Sequence, residues 1–411
     1  MKKFIKRTIL LSIIIIVYIY ALVITNYPDN LIVMEGESIN LKTILGINVN
    51  LINENDVVEV SSSDSQNKVS GSGTKKISVS LFNDITLKDI NVDVIPKTKV
   101  IPLGNIAGVK LYTNGVLVVG MSEIEGEDNK KYKPYENIGI AEGDTIIAIN
   151  DKEIFDTEDL VETVNNSQGN RLNIEYLHNN ENLECSITPI KTGSAEYKLG
   201  LWVRDSAAGV GTVTFYEPTT KSFGALGHGI VDIDTSQLID IASGEFITTK
   251  ILNITKGENG NPGRIQGTID NQQTIGTITK NTKFGIYGTV DNVSALNINA
   301  SNSMEVALRD EIQLGKAQII CTLENGKTEK YEIEIEKIFK NNNSDNKSMK
   351  IRVTDQRLID KTGGIIQGMS GSPIIQNGKF IGAVTHVLVN DSLEGYGVFG
   401  DIMIKQMKAT S

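Results

Sequence analysis

Two glycine-framed segments in the C-terminal half of the chain contain the residue types that a serine nucleophile and its base require. They read GALGHG at 224–229 and GMSGSP at 368–373. A serine hydroxyl is a weak nucleophile until a neighbouring imidazole takes its proton. Flanking glycines let the backbone turn sharply, so that amides near the serine can point at one developing oxyanion. These patterns predict Ser370 as nucleophile, His228 as general base, and the amides of Gly368 and Ser370 as the oxyanion hole.

Ser372 is the competing nucleophile inside the same motif. The G-x-S-G spacing favours Ser370, because it places amide donors at the nucleophile and two residues before it. The reaction also needs an acceptor that orients the imidazole.

Four aspartates are candidates for that acceptor. Asp355 ends an alternating strand predicted over 349–354, whereas Asp360 lies in a predicted surface turn. Asp232 and Asp234 are further possibilities because they are close to His228 in sequence. Spacing alone gives Asp355 only a modest lead.

The chain contains only three histidines, so the choice of base is narrow. His386 lies in a strand predicted over 383–389, soon after Ser370. We interpret it either as a partly buried strand histidine or, by the resemblance to chymotrypsin-like proteases given below, as a residue that contacts substrate. His178 ends an earlier strand and is interpreted as a surface residue. The three show no HExxH motif or paired spacing, so we predict no metal site and no cofactor.

Composition limits the class of protein. The length of 411 residues suggests two to four domains, and 38 glycines with only 8 prolines suggest many short strands joined by turns. Two cysteines, Cys185 and Cys321, are too few for a disulfide framework. The net charge is −10, yet the first seven residues contain four basic side chains and no acidic one. The remaining chain is therefore more acidic than the total suggests. An acidic body argues against nucleic-acid binding.

The N-terminus predicts a membrane-spanning segment within 1–27. Basic residues 1–7 precede an uncharged apolar run, 8–25, that is long enough to cross a bilayer as a helix. The positive flank keeps the N-terminus in the cytoplasm and exports the rest. No clear cleavage site precedes Asn26, so we favour an uncleaved signal anchor over a cleaved signal peptide.

The exported chain divides into three predicted regions. Residues 28–97 form a small β-rich module in which we find no chemistry. Residues 98–192 are mixed α and β, with a turn and strand at 140–150 (IAEGDTIIAIN), a helix capped by Asp156 or Thr157, and a strand at 171–177. Residues 193–411 are all-β, with hairpin signals at 214–228 and 384–399, exposed loops at 257–263 and 341–348, and a size suited to two small barrels.

Region 98–192 resembles a PDZ domain, most specifically in the run IAEGDTIIAIN. The resemblance implies capture of an extended peptide by strand addition to a sheet edge. By the same resemblance, the peptide groove would involve Leu103, Gly104, Val109 and Leu111.

Region 193–411 resembles the chymotrypsin-like serine proteases in its G-x-S-G-x-P motif and in the order histidine, aspartate, serine. The segments LGHGI at 226–230, KTGGIIQGMSGSPIIQNGKFIGAVTHVLVND at 361–391 and GYGVF at 395–399 are similar to the stage IV sporulation protein B (SpoIVB) peptidases. This resemblance implies a double β-barrel with His228, Asp355 and Ser370 as the catalytic residues. It favours Asp355 over Asp360.

The resemblance also implies a function. Such a serine endopeptidase is exported to the space between forespore and mother cell, processes itself, and cleaves a membrane-anchored regulator that activates late sigma-factor processing. Self-cleavage would release it from its anchor. Two alternatives stay open: a quality-control protease of the HtrA type, and a non-catalytic PDZ adaptor at the membrane surface. HtrA proteases usually carry the PDZ domain after the protease and a GNSGG serine motif.

Overall fold

The computed structural model describes residues 2–35, 47–52, 57–59, 71–81, 85–179, 181–296, 298–339 and 345–409. Strands dominate these residues, which confirms the mostly-β prediction. Part of the predicted module at 28–97 and part of the loop at 341–348 fall outside the described residues.

The N-terminal helix ends against a small five-stranded sheet. The elements are α1 (Lys2–Asn26), β1 (Asn30–Met34), β2 (Ile47–Ile52), β3 (Val57–Glu59), β4 (Gly73–Leu81) and β5 (Ile85–Ile95), in the sheet order β1-β5-β4-β2-β3. Phe4–Asn26 is long and apolar enough to cross a membrane. Val23 and Tyr27, at the end of α1, are buried with Ile77 and Ile90 of the sheet. The apolar helix is therefore joined directly to the module that follows it.

Two long strands, β6 and β15, connect the next two modules. The elements of this stretch are β6 (Lys99–Met121), β7 (Ile124–Glu125), β8 (Lys131–Tyr132), β9 (Thr145–Ile149), β10 (Lys152–Glu153), α2 (Thr157–Asn166), β11 (Leu172–His178), β12 (Glu181–Ile187), β13 (Ile190–Lys191), β14 (Tyr197–Lys198) and β15 (Leu201–Glu217). β6 and β15 pair antiparallel from Leu201↔Met121 to Tyr216↔Ile101. The two paired strands form a long ribbon. Its Leu201–Met121 end belongs to a PDZ-like module, and its Tyr216–Ile101 end belongs to a barrel.

The PDZ-like module packs α2 against the sheet β12-β11-β9-β6. Its predicted local features are confirmed. The Asp156 side chain caps α2 by accepting a hydrogen bond from the Asp159 amide, and Gly143 turns the chain before β9 with φ of +95°. Leu160 and Val164 form the apolar face of α2 that the sheet buries.

The first barrel is completed after β15. Its further strands are β16 (Ser222–Ala225), β17 (Ile241–Thr255), β18 (Arg264–Thr282) and β19 (Gly285–Val290), and β20 (Met304–Glu305) pairs outside the ring with the start of β6. The pairing order β6-β15-β16-β19-β18-β17 closes on itself because β17 also pairs with β6. Leu111, Phe223, Phe246 and Ile278 fill its core.

The second barrel is closed by six strands in the order β21-β22-β23-β26-β25-β24. Its elements are β21 (Gly315–Glu324), β22 (Lys327–Ile338), β23 (Met349–Val353), α3 (Gln356–Thr362), β24 (Pro373–Gln376), β25 (Lys379–Leu388), β26 (Asp391–Phe399) and α4 (Gly400–Lys408). The double-barrel prediction is thus confirmed. The helix α3 replaces the turn that we predicted around Asp360.

The PDZ-like module is inserted into the first barrel rather than preceding it. Residues 99–113 of β6 pair with β15 and β17 within the barrel, and the PDZ core begins only at Val116. The predicted boundary at residue 98 was therefore wrong. So was the predicted peptide groove, because Leu103, Val109 and Leu111 are buried in the barrel core and Gly104 lies against the Ile320 carbonyl.

Candidate active site

Residues 224–229, the histidine segment, and residues 368–373, the serine segment, meet between the two barrels. His228 follows β16 of the first barrel, and Ser370 lies just before β24 of the second. A Cβ added to Gly371 would lie 2.2 Å from the Thr212 carbonyl oxygen and 2.6 Å from the Leu226 amide. Only glycine permits this close approach, which explains why the motif carries a glycine after the serine.

Thr212 of β15 holds the two segments together. Its amide donates to the Ser370 carbonyl at 3.2 Å, and its hydroxyl donates to the Gly368 carbonyl at 2.7 Å. Its own carbonyl accepts from the Leu226 amide at 3.2 Å. Thr212 is a positioning residue that the sequence did not reveal, because a threonine in an alternating strand carries no distinguishing pattern.

The nucleophile candidates differ in access. Ser370 is partly exposed, whereas Ser372 is fully buried and its hydroxyl has no hydrogen-bond partner within the described part of the chain. Substrate cannot reach a fully buried hydroxyl, so the structure favours Ser370. The Ser370 hydroxyl donates to the Thr385 carbonyl at 2.8 Å rather than to His228. A rotation about its Cα–Cβ bond is required before it can give its proton to the imidazole.

Two backbone amides are available for an oxyanion. Gly371 donates to Val384 at 2.7 Å and Met369 donates to Ile366 at 3.1 Å. By contrast, the amides of Gly368 and Ser370 donate to no protein acceptor in the described ranges. Gly368 has φ of +100°, a conformation that glycine tolerates best. Amides left free beside a nucleophile are what oxyanion stabilisation requires.

His228 is held by its own backbone neighbour. Its Nδ1 lies 2.9 Å from the Gly229 carbonyl oxygen. Because a carbonyl only accepts, Nδ1 carries the proton in this contact, which leaves Nε2 as the basic nitrogen. Burial lowers the pKa of His228 below its ordinary value, and the Gly229 carbonyl partly opposes this shift. The ring is therefore neutral at neutral pH, as a general base must be.

His386 lies beside His228, with ring centroids 5.3 Å apart. Burial, followed by the proximity of His228 and Lys347, lowers the pKa of His386 to about 4. Its Nδ1 is buried and has no hydrogen-bond partner among the described residues. His386 is thus an uncharged neighbour of the base, and substrate contact through it stays a prediction.

None of the four candidate carboxylates contacts His228 in the structure. Asp355 caps α3 and accepts from the Arg357 amide at 3.0 Å, the Arg357 guanidinium at 2.8 Å and the Glu332 amide at 3.2 Å. Asp360 is exposed and bonds Gln356 within α3, while Asp232 and Asp234 both bind Arg204. His228 is oriented by a backbone carbonyl here, not by an acid.

The contacts of Asp355 predict an effect on stability rather than on catalysis. Asp355→Ala removes a helix cap and an ion pair, so we expect the free energy of unfolding to fall by about 1–3 kcal/mol. The turnover number kcat of the folded enzyme should change less than about tenfold, since a backbone carbonyl holds His228. Denaturant unfolding and peptide hydrolysis measure the two effects. A loss of about 10⁴-fold in kcat with unchanged stability would instead establish Asp355 as the orienting acid.

Gly371 provides a test of the contact between the two segments. In Gly371→Ala the new methyl group meets the Thr212 carbonyl and the Leu226 backbone, so we expect kcat/KM to fall by about 100-fold or more. Gly378→Ala is the matched control, because Gly378 also has positive φ but an added Cβ there meets nothing within 4 Å. Equal losses of activity in both variants would contradict this role for Gly371.

A cleft in the PDZ-like module occupies the place where a peptide could add a strand. Its volume is about 670 Å³, and it lies between α2, including Val161, and the first residues of β15, Leu201–Val203. The side chain of Trp202 is 64% exposed there. Gly200, with φ of +78°, turns the chain into this strand.

His178 does more than the surface role that we predicted. Its Nδ1 lies 2.7 Å from the Oδ1 atom of Asp144, whose side chain is almost fully buried. Asp144 also accepts from the Ala141 amide at 2.8 Å. His178 is 44% exposed, as expected of a surface residue, and it also helps to fix the Gly143-Asp144 turn.

The profile of the SpoIVB peptidase S55 family matches residues 195–404, which is half of the chain. The chain belongs to the SpoIVB peptidase family. It is a serine peptidase, and the matched residues include both glycine-framed segments. No curated protein matches the chain.

Three solved structures are similar over parts of this peptidase. The PDZ domain of an SdrC-like protein from Listeria monocytogenes is 17% identical, covers 22% of this chain and 87% of its own, with a TM-score of 0.18. The Rv3671c protease of M. tuberculosis is 13% identical in its active form, covering 62% and 89% with a TM-score of 0.27. Its inactive form is 12% identical, covering 49% and 85% with a TM-score of 0.27.

Proposed function

We propose that the chain is a sporulation signalling endopeptidase that first processes itself and then cleaves a membrane-associated regulatory protein between forespore and mother cell. The observation that carries the peptidase chemistry is the contact between the segments of His228 and Ser370, through Leu226, Thr212 and Gly371, beside two unengaged amides. The family supports the sporulation role. The apolar N-terminal helix supports membrane attachment or a signal sequence.

The site can carry out acyl transfer with its own residues. The Ser370 hydroxyl rotates from the Thr385 carbonyl to Nε2 of His228, which takes its proton as Oγ attacks the peptide carbonyl carbon. The amides of Gly368 and Ser370 donate to the oxyanion. His228 then gives its proton to the leaving amine, the C–N bond breaks, and an acyl-Ser370 ester remains. Water hydrolyses the ester by the same steps, with His228 again as base and acid.

The PDZ-like cleft supports a role in substrate selection. A peptide that adds a strand beside Leu201–Val203 would satisfy its backbone on β15 and bury side chains against α2. We propose that this cleft, and not the residues predicted from the sequence, binds a segment of the substrate or of the protein's own N-terminal region.

Mass spectrometry of new N-termini tests this function. Purified full-length chain, incubated alone, should yield one or a few defined self-cleavage products, and Ser370→Ala should yield none. Cleavage at many sites, together with broad digestion of casein, would indicate the HtrA-type role instead. The absence of any product with an intact fold would indicate a non-catalytic adaptor.

A further inference from the structure

The loop that follows the catalytic histidine is fixed at its base by one side chain. This histidine loop, residues 230–239, folds back so that the Ile239 amide donates to the Ile230 carbonyl at 3.1 Å. Asn281 of β18 accepts from the Ile230 amide at 2.9 Å and donates to the carbonyls of Ile230 and Ile239 at 2.8 and 2.9 Å. Because this anchor at Ile230 is only two residues after His228, a displacement of the loop would act on the backbone beside His228.

The tip of the histidine loop is built around a buried carboxylate. The side chain of Asp232 is fully buried, and its Oδ1 accepts from the amides of Asp234 and Thr235 at 3.0 Å each. Its Oδ2 binds the guanidinium of Arg204, which also binds Asp234 at 2.7 Å. Burial alone would raise the pKa of Asp232, but these amides and Arg204 lower it, so the group is charged. Removing the cation from a buried ion pair leaves an uncompensated charge and is strongly destabilising. The conformation of the loop tip therefore depends on Arg204.

Arg204 comes from the PDZ end of the long ribbon. It directly follows Leu201–Val203, the strand that forms one wall of the PDZ-like cleft, and the register of β15 against β6 shifts immediately after it. A second contact lies nearby, because a Cβ added to Gly143 would be 2.4 Å from the side-chain nitrogen of Gln237. The PDZ-like module thus touches the tip of the histidine loop through its cleft strand and through its Gly143-Asp144 turn.

We propose that Arg204 is a positioning residue that couples the PDZ-like cleft to His228 through the histidine loop. The coupling rests on the proposed peptide-binding role of the cleft. A strand added beside Leu201–Val203 changes the position of Arg204, Arg204 carries Asp232 with it, and the loop moves the backbone that orients His228. Coupling between two sites is reciprocal, so occupation of the active site must also alter the cleft strand.

Kinetics on a short substrate give the first test. With a tetrapeptide anilide, Arg204→Met should lower kcat about 10- to 100-fold while KM changes less than about threefold. Arg204→Lys should recover most of kcat, because it restores the charge beside Asp232 although not the forked contact. Arg352→Met is the matched control: its side chain is also 33% exposed and binds Glu336 and Glu394 in the second barrel. Equal losses in Arg204→Met and Arg352→Met would overturn the proposal.

Trp202 gives a second test because it is the only tryptophan and lies in the cleft strand two residues before Arg204. Reaction of full-length protein with a fluorophosphonate should shift Trp202 emission in the parent protein and in Arg352→Met. The same reaction should leave the emission of Arg204→Met unchanged. A shift of equal size in all three proteins would contradict coupling through Arg204.

A third measurement separates this proposal from the proposed peptidase function. The rate at which diethyl pyrocarbonate carbethoxylates His228 can be followed by mass spectrometry in the Ser370→Ala variant. This measurement does not depend on peptidase activity. Adding Arg204→Met should accelerate the reaction at His228 at least about threefold, since the loop loses its anchor. An unchanged rate would overturn the positioning role, whereas a failure of the parent protein to hydrolyse peptides would overturn only the peptidase assignment.

Discussion

Ser370→Ala should lower kcat/KM for peptide hydrolysis by about 10⁵-fold and abolish self-cleavage. The reason is that the Ser370 hydroxyl is partly exposed and belongs to the segment that carries the two free amides and packs against the segment of His228, whereas Ser372 is fully buried. The protein should stay folded, because the variant loses a single hydrogen bond to the Thr385 carbonyl, worth about 1 kcal/mol. Initial rates on a peptide anilide and a thermal melt measure the two quantities.

Ser372→Ala is the matched control for this result. Its hydroxyl is fully buried and has no partner in the described structure, so its removal should change kcat/KM less than about threefold. A large loss in Ser372→Ala, with activity retained in Ser370→Ala, would exchange the roles of the two serines.

His228→Ala should cause a loss of the same order, about 10⁵-fold in kcat/KM, and the double variant with Ser370→Ala should be no worse than either alone. The two side chains act as one unit, so removing either one stops the same proton transfer. The control is His178→Asn, which keeps a hydrogen-bonding side chain at the Asp144 turn and should stay within about twofold of the parent protein.

The pH dependence follows from the same residue. The base must be neutral, and burial lowers the pKa of His228 below 6.5. Activity is therefore complete above this pKa and is lost as the pH falls through it, so the acid limb of kcat/KM should have its midpoint below 6.5. A limb centred above 7, or a limb that persists in His228→Ala, would contradict the assignment of the base.

The chemistry was predictable from the sequence because it is encoded locally. The glycines around Ser370 and His228 report backbone turns and close approaches, and the structure contains both. The Gly143-Asp144 turn and the Asp156 cap were predictable for the same reason. Such features depend on a few neighbouring residues and not on the path of the rest of the chain.

The errors concern contacts between distant segments. Leu103-Gly104 and Leu199-Gly200 are both Leu-Gly pairs, and both glycines have φ of +78°, so local pattern does not show which pair belongs to the peptide cleft. An alternating strand such as β6 has the same pattern of apolar and polar residues whether it lies in a PDZ-like sheet or in a barrel. Thr212 and Arg204 contact partners far away in sequence, which no local pattern reveals.

The acid of the predicted triad stays a prediction. The family motif places the role on Asp355, but the described contacts of Asp355 are with Arg357 and Glu332. His228 instead has a carbonyl at Nδ1, which fixes the same tautomer that an aspartate would fix. The Asp355→Ala experiment decides between the two arrangements.

Covalent labelling is the most decisive experiment on Ser370 as the nucleophile. The full-length protein is incubated with a fluorophosphonate, digested, and the modified peptide is sequenced by mass spectrometry. We predict one adduct, on Ser370, which is lost in Ser370→Ala and strongly slowed in His228→Ala. An unlabelled protein with an intact fold, or an adduct on any other residue, would contradict the assignment of Ser370.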